Sequence, residues 1–294
     1  MGMATKFGEI VMGVKYHGHD EKGNIAGGPM YYIEYGMHWK WAGVFVAVLL
    51  FIQNSGATLI QSNTISNVVN EGFRLPFLLT GLLFAVVMSL VIRGGFKRLI
   101  HVAQNIVPVM AGIYVIGGLV VLLLHVGQIP AMLVSVVKEA FSLKAGTGAL
   151  AGITIREAMR FGVARGLYSN EAGEGSAAVL HASAEVDHPV FPGMQYVIYI
   201  SLILFASTSL MSQWYFGHVS LTYLKKPGLA AVYRYLFPVL IILGSLGSID
   251  MVWYIQDCAL GLLILPNIAA LIGLAPQVRK LVKEFMDPKN GYLT

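Results

Sequence analysis

The sequence predicts an all-α polytopic membrane protein, and three observations predict it. Only 12% of the 294 residues are charged, 56% are hydrophobic, and mean hydropathy is +0.69, whereas soluble domains carry about 25% charge. The apolar residues fall in long runs with basic clusters between them, as lipid-crossing helices require, because each must pair its own backbone N–H and C=O groups. Residues 189 to 224 contain no Asp, Glu, Lys or Arg at all. At about 20 residues per span there is room for roughly six to nine helices, forming one transmembrane domain over 1–294 in a multi-pass plasma-membrane protein.

The formal charge of +5 does not indicate nucleic acid. The 20 Lys and Arg are scattered through loops, where they act as topology signals and anionic-lipid contacts. The single cysteine, Cys258, excludes an internal disulfide, and its apolar neighbours suggest a small core hydrophobe.

The first residues lack the basic start, apolar middle and cleavage site of a signal peptide, and resemble the tail of a helix begun before residue 1. Residues 15 to 40 are polar and Gly-rich, predicting a loop followed by an interfacial aromatic belt in GGPMYYIEYG. The run Trp41 to Ile52 is uninterrupted and leads into Gln53, Asn54, Thr58, Gln61, Ser62 and Asn63. Asn54, Thr58 and Gln61 share one helical face. Further spans are expected over Leu75 to Ile92, Ile106 to His125, Tyr235 to Ile249 and Met251 to Leu274, with Asp250 at the last turn. Apolar residues at 129, 132, 133, 136, 137, 140 and 141 predict an amphipathic helix lying at the interface.

The segment FGVARGLYSNEAGEGSAAVLHASAEVDHPV (161–190) is unusually polar for this chain. Gly162 and Gly166, then Ser169, Gly173 and Ala177, recur every four residues, which lets helix backbones approach closely in a bilayer. Glycine also weakens a helix, and a broken helix can expose carbonyls and helix ends to ions and zwitterions at the midplane. A solvated loop explains the composition equally well. If the segment crosses, one more crossing is needed to return Lys225 and Lys226 to the basic side.

Other polar groups admit two readings each. Gln61 can accept from an ammonium and donate to a carboxylate, whereas Asn54 fits interhelical glue. Thr208 and Ser209 offer hydroxyl oxygens suited to a hard cation, or back-bond to the preceding turn. Asp257 lies inside a span, where an ionisable group is functional by default, although it could cap or neutralise a neighbour. GTGALAG (146–152) follows no strand, so no dinucleotide site is implied. His17 and His19 beside Asp20 are a weak metal pattern. Ser176 and His181 stand five apart with no oxyanion donor, which argues against an intramembrane hydrolase and for a chain that is not an enzyme.

The strings GMATKFGE (2–9), GGPMYYIE (27–34), QSNTIS (61–66), FGVARGLYSNEAGEGSA (161–177), HPV (188–190), GSIDMVW (247–253) and LPNIAALI (265–272) together resemble the alanine-or-glycine:cation symporters, nearly end to end. That resemblance implies a partial leucine-transporter-like inverted-repeat fold and sodium-coupled symport of alanine or glycine by alternating access, with no cofactor besides the coupling ion. By position, Gln61 corresponds to the substrate-facing glutamine of the third core helix. Asn63, Thr154 and Gln213 join it at the substrate, and Thr208 with Ser209 correspond to a sodium-holding pair on the eighth. Gln213 stands where the family usually has tryptophan, and His218 replaces a glutamate. The family's first core helix is expected before residue 1, and one span is missing between HPV and the eighth core helix. A non-transporting remnant or partner subunit is the alternative.

Overall fold

Proline and glycine set the ends of the long helices. In the computed structural model, which describes residues 2–19, 23, 25–140, 192–224, 227–247 and 249–287, helix α1 (Gly2–Lys15) leads into a short antiparallel hairpin, β1 (His17–His19) and β2 (Ile25–Gly27). Helix α2 (Pro29–Met37) starts with proline in its first turn, where the missing N–H costs nothing. It is followed by α3 (Lys40–Phe73), α4 (Phe77–Arg93), α5 (Gly95–Leu124) and α6 (Ile129–Ala140). Then come α7 (Pro192–Tyr223), α8 (Pro227–Leu246) and α9 (Asp250–Met286). Among the described residues four helices are long and apolar enough to cross a membrane: α3, most of α5, α8 and α9. The chain is an all-α polytopic membrane protein.

Helix α3 ends where Arg74 takes a left-handed φ of 58° and Pro76 forbids continuation, so α4 begins at Phe77 rather than Leu75. Asn70 Nδ2 donates to Leu75 O at 2.9 Å across that break. On α4, Leu78, Leu82, Val86 and Leu90 are exposed, while Thr80, Gly81, Ala85, Met88 and Ile92 are buried. The larger apolar residues thus cover the outer face, as expected of a helix bathed in lipid. The amphipathic helix expected from Ile129 is α6.

The chain divides into two compact units, Met1–Ser66 with Pro76–Leu99 and Leu210–Thr294, and Asn67–Leu75 with Ile100–Ser209. In the second, Gly72 lies against the Tyr199 ring, where a Cβ would sit 2.6 Å from Cδ2, and Tyr114 meets Phe205 edge to face.

The first unit has a core drawn from α1, the hairpin, α2, the start of α3, the end of α7 and α9, with Met12, Met30, Tyr32, Ile33, Val46 and Leu274 fully or nearly enclosed. Here two expectations are corrected. The segment from 15 to 40 is no plain loop, and Tyr31 and Tyr32 are buried rather than forming an interfacial belt. Tyr32 hydroxyl donates to Asn267 Oδ1, and Asn267 Nδ2 donates to Glu9 Oε1 at 2.8 Å. Burial, with the Glu9 carboxylate nearby, holds the Tyr32 phenol well above its ordinary range and so keeps it a donor. Lys15 Nζ and Tyr16 hydroxyl both donate to Gln277 Oε1 at 2.7 Å, and Tyr223 hydroxyl donates to Glu34 Oε2. Cys258 is likewise corrected: it is exposed, because in lipid an apolar neighbourhood in sequence does not mean the protein interior.

Asn267→Ala leaves the buried Tyr32 phenol without its acceptor, so it is expected to cost ~1–3 kcal/mol. Adding Tyr32→Phe should recover part of that loss, read by denaturation of the detergent-solubilised protein.

Candidate functional site

Helix α3 carries the polar residues that an apolar chain can least afford to leave unpaired. Gln53, Asn54, Thr58, Gln61, Ser62 and Ser66 are all buried. Two of them are satisfied within the helix, since Asn54 Nδ2 donates to Leu50 O at 2.7 Å and Thr58 Oγ1 to Asn54 O at 2.8 Å. The Asn54 bond is therefore to its own helix rather than to a neighbouring one.

The next turn of α3 holds α8. Ser62 Oγ donates to Ile241 O, and Asn63 Nδ2 donates to both Gly244 O and Gly247 O at 3.0 Å. Helix α8 ends at Leu246, so the Gly244 carbonyl is among the last four, which no intrahelical N–H can reach. The Asn63 amide caps it from the side. Gly244 makes this possible, because a Cβ there would lie 2.4 Å from Leu59 O. Sequence reading grouped Asn63 with Gln61 at the substrate; both of its amide hydrogens are committed to α8.

Gln61 is 8% exposed. On α7, Gln213 is 3% exposed and neither its Oε1 nor its Nε2 has a hydrogen-bond partner. A wholly unpaired buried amide is expensive, at ~1–3 kcal/mol per group. Beside it Trp214, also buried, leaves its Nε1 unpartnered and stacks on His218 with ring centroids 5.2 Å apart. Thr208 Oγ1 and Ser209 Oγ both donate to Phe205 O, at 2.8 and 3.1 Å. The back-bond foreseen for them is present, and a hydroxyl that has donated its proton still keeps acceptor lone pairs of the kind a hard cation takes.

Asp257 on α9 has a buried Oδ1 with no hydrogen-bond partner. Among the described residues no group of three or more His, Cys, Asp or Glu could hold a metal ion; His17 and His19 meet edge to face on β1. Thr154, Ser176, His181, GTGALAG and the polar segment 161–190 lie outside the described residues. Sequence reasoning missed the Glu9–Asn267–Tyr32 chain and the unpartnered carbonyl of Gln256. The only signals were an acidic residue in an apolar helix, an asparagine after Pro266, and an amide next to Asp257.

The model of the sodium:alanine symporter family matches residues 1–195 and 192–292. The sodium/alanine symporter AgcS of Methanococcus maripaludis is 30% identical over 99% of this chain and 76% of its own length. The uncharacterized transporter YflA of Bacillus subtilis is 31% identical, over 99% of this chain and 73% of its own. The probable sodium/glutamine symporter GlnT of Bacillus subtilis is 28% identical, over 99% and 71%.

Gly244→Ala forces α8 away from α3 and is expected to cost ~1–3 kcal/mol by overpacking. Gly261→Ala, where a Cβ meets nothing within 4 Å, should leave the melting temperature in detergent unchanged or slightly raised.

Proposed function

Because this chain belongs to the sodium:alanine symporter family, a family of membrane transporters and not of enzymes, we propose that it carries a small neutral amino acid, alanine or glycine, across the plasma membrane together with sodium. The observation that carries this reading is Gln213, buried with both ends of its amide unpaired. An amide can accept from an ammonium and donate to a carboxylate, so a zwitterion satisfies both of its ends at once. The relatives' names support the substrate class, since alanine and glutamine are both neutral amino acids.

In this reading Gln61 and Gln213 contact the substrate, and Thr154 joins them. Asn63 shapes the site from behind by fixing α8. Thr208 and Ser209 offer oxygens to sodium without adding a net charge, which suits an ion that must be released again. Selectivity for sodium comes from oxygen number and spacing, and coupling from a state in which both occupants bind better together than apart. Alternating access then moves the loaded site from one face to the other.

Proteoliposomes holding the protein are expected to accumulate labelled alanine under an inward sodium gradient and not under potassium. Gln213→Ala and Thr208→Ala should each lower uptake by about ten-fold or more, the loss expected when one or two charge-assisted hydrogen bonds disappear. Equal uptake in sodium and potassium would contradict the sodium coupling, and no uptake by well-folded protein would point to a partner or remnant role.

A further inference from the structure

Helix α9 is longer than a bilayer's hydrocarbon is thick. Its 37 residues rise about 55 Å in all, against a hydrocarbon core of about 30 Å. The apolar run that starts at Met251 ends at Ala275, and Gln277, Arg279, Lys280, Lys283 and Glu284 follow, so the last turns leave the hydrocarbon. Pro276 removes a helical hydrogen bond just there, which lets the end of the helix turn along the membrane surface.

The ends of α1 and α2 and the start of α3 meet α9 at this level. Lys15 and Tyr16, closing α1, both reach Gln277. A Cβ built at Gly36 of α2 would lie 3.0 Å from Leu274 Cδ2, and one built at Gly273 would lie 2.5 Å from Met37 Cε. Directly after Met37 come His38, Trp39, Lys40 and Trp41, all exposed.

The end of α9 has two sides. Val278 and Leu281 pack on the core of the first unit, while Arg279, Lys280, Lys283, Phe285 and Met286 are exposed. Cations beside bare apolar side chains, with tryptophans at the same level, describe a helix end lying at the lipid–water boundary. Among the described residues here, Lys15, Lys40, Arg279, Lys280 and Lys283 outnumber Glu34, Glu284 and Asp287. Two of those acids are engaged, since Glu34 accepts from the Tyr223 hydroxyl and Glu284 meets Lys280 at 3.8 Å.

We infer that Lys40, Arg279, Lys280 and Lys283, framed by Trp39, Trp41 and Phe285, form a docking surface for the headgroups of anionic phospholipids. The excess of cations selects an anionic headgroup over a zwitterionic one, whose own cation offsets its phosphate. The exposed aromatic rings hold the surface at headgroup depth, where those phosphates lie. This surface is independent of what the protein carries.

The test reconstitutes the full chain into phosphatidylcholine bilayers and follows quenching of tryptophan fluorescence as brominated phosphatidylglycerol or brominated phosphatidylcholine is titrated in. Wild type should favour the anionic lipid by about five-fold, the ratio that one headgroup held by one Lys or Arg supports, and the preference should shrink as salt is raised. Arg279→Gln/Lys280→Gln/Lys283→Gln should bring the ratio close to one, and Lys40→Gln alone should lower it part of the way. If the triple variant does not fold, Lys40→Gln carries the test. Equal quenching by the two lipids in wild type, or a preference unmoved in the folded variants, would overturn the inference while leaving the proposed transport untouched.

Discussion

The constraint on which the rest depends is that a helix end leaves its last carbonyls without an intrahelical partner, so that whatever packs beside it must meet them. Helix α8 stops at Leu246, and the carbonyls of Gly244 and Gly247 are met by one amide, Asn63 of α3. That bond needs the helices close enough for backbone to approach backbone, which Gly244 permits. One turn earlier on α8, the Ser62 hydroxyl donates to the Ile241 carbonyl inside the helix. Because α3 and α8 are joined through backbone groups, the position of α3's polar face is fixed by something other than loose apolar contact. In lipid such contact gives little preference for one neighbour over another.

The remaining polar residues of the first unit divide into those satisfied by protein and those left wanting. Tyr32, Asn267 and Glu9 form a closed chain from α2 to α9 to α1, and Gln277 receives both Lys15 and Tyr16. These bonds tie the segment from Gly2 to Met37 against α9 at residues that immediately follow its two internal prolines, Pro266 and Pro276. Proline removes a helical hydrogen bond and loosens the turn around it, so the side chains that dock there also brace the helix where it is weakest. Against this background of paired groups, the amide of Gln213 and the carbonyl oxygen of Gln256 are buried and unpaired.

Much of the fold was legible in the sequence because lipid demands long apolar runs, and each expected span corresponds to a helix. The ends were less so: Pro76 delayed α4, and α8 and α9 extend beyond their most apolar stretches. What failed had one cause. Hydropathy separates lipid from water but does not separate lipid from protein core, so Cys258, expected in the core, is exposed, and Tyr31 and Tyr32, expected in an interfacial belt, are buried. For the site, the sequence marked Gln61, Asn63, Thr208 and Ser209 as polar groups in oil, and the family resemblance added Gln213. It could not tell Asn63, spent on α8, from Gln213, spent on nothing, because that difference depends on where a helix more than 150 residues away in sequence ends.

The most direct test compares two amides two residues apart on α3 by the melting of detergent-solubilised Asn63→Leu and Gln61→Leu, each with and without alanine in sodium buffer. If Asn63 caps α8 and Gln61 serves the substrate, Asn63→Leu melts lower without ligand yet keeps its upward shift with alanine, while Gln61→Leu melts like wild type and loses the shift. An Asn63→Leu protein as stable as wild type but blind to alanine would contradict the account, since its amide would then belong to the substrate and not to the helix.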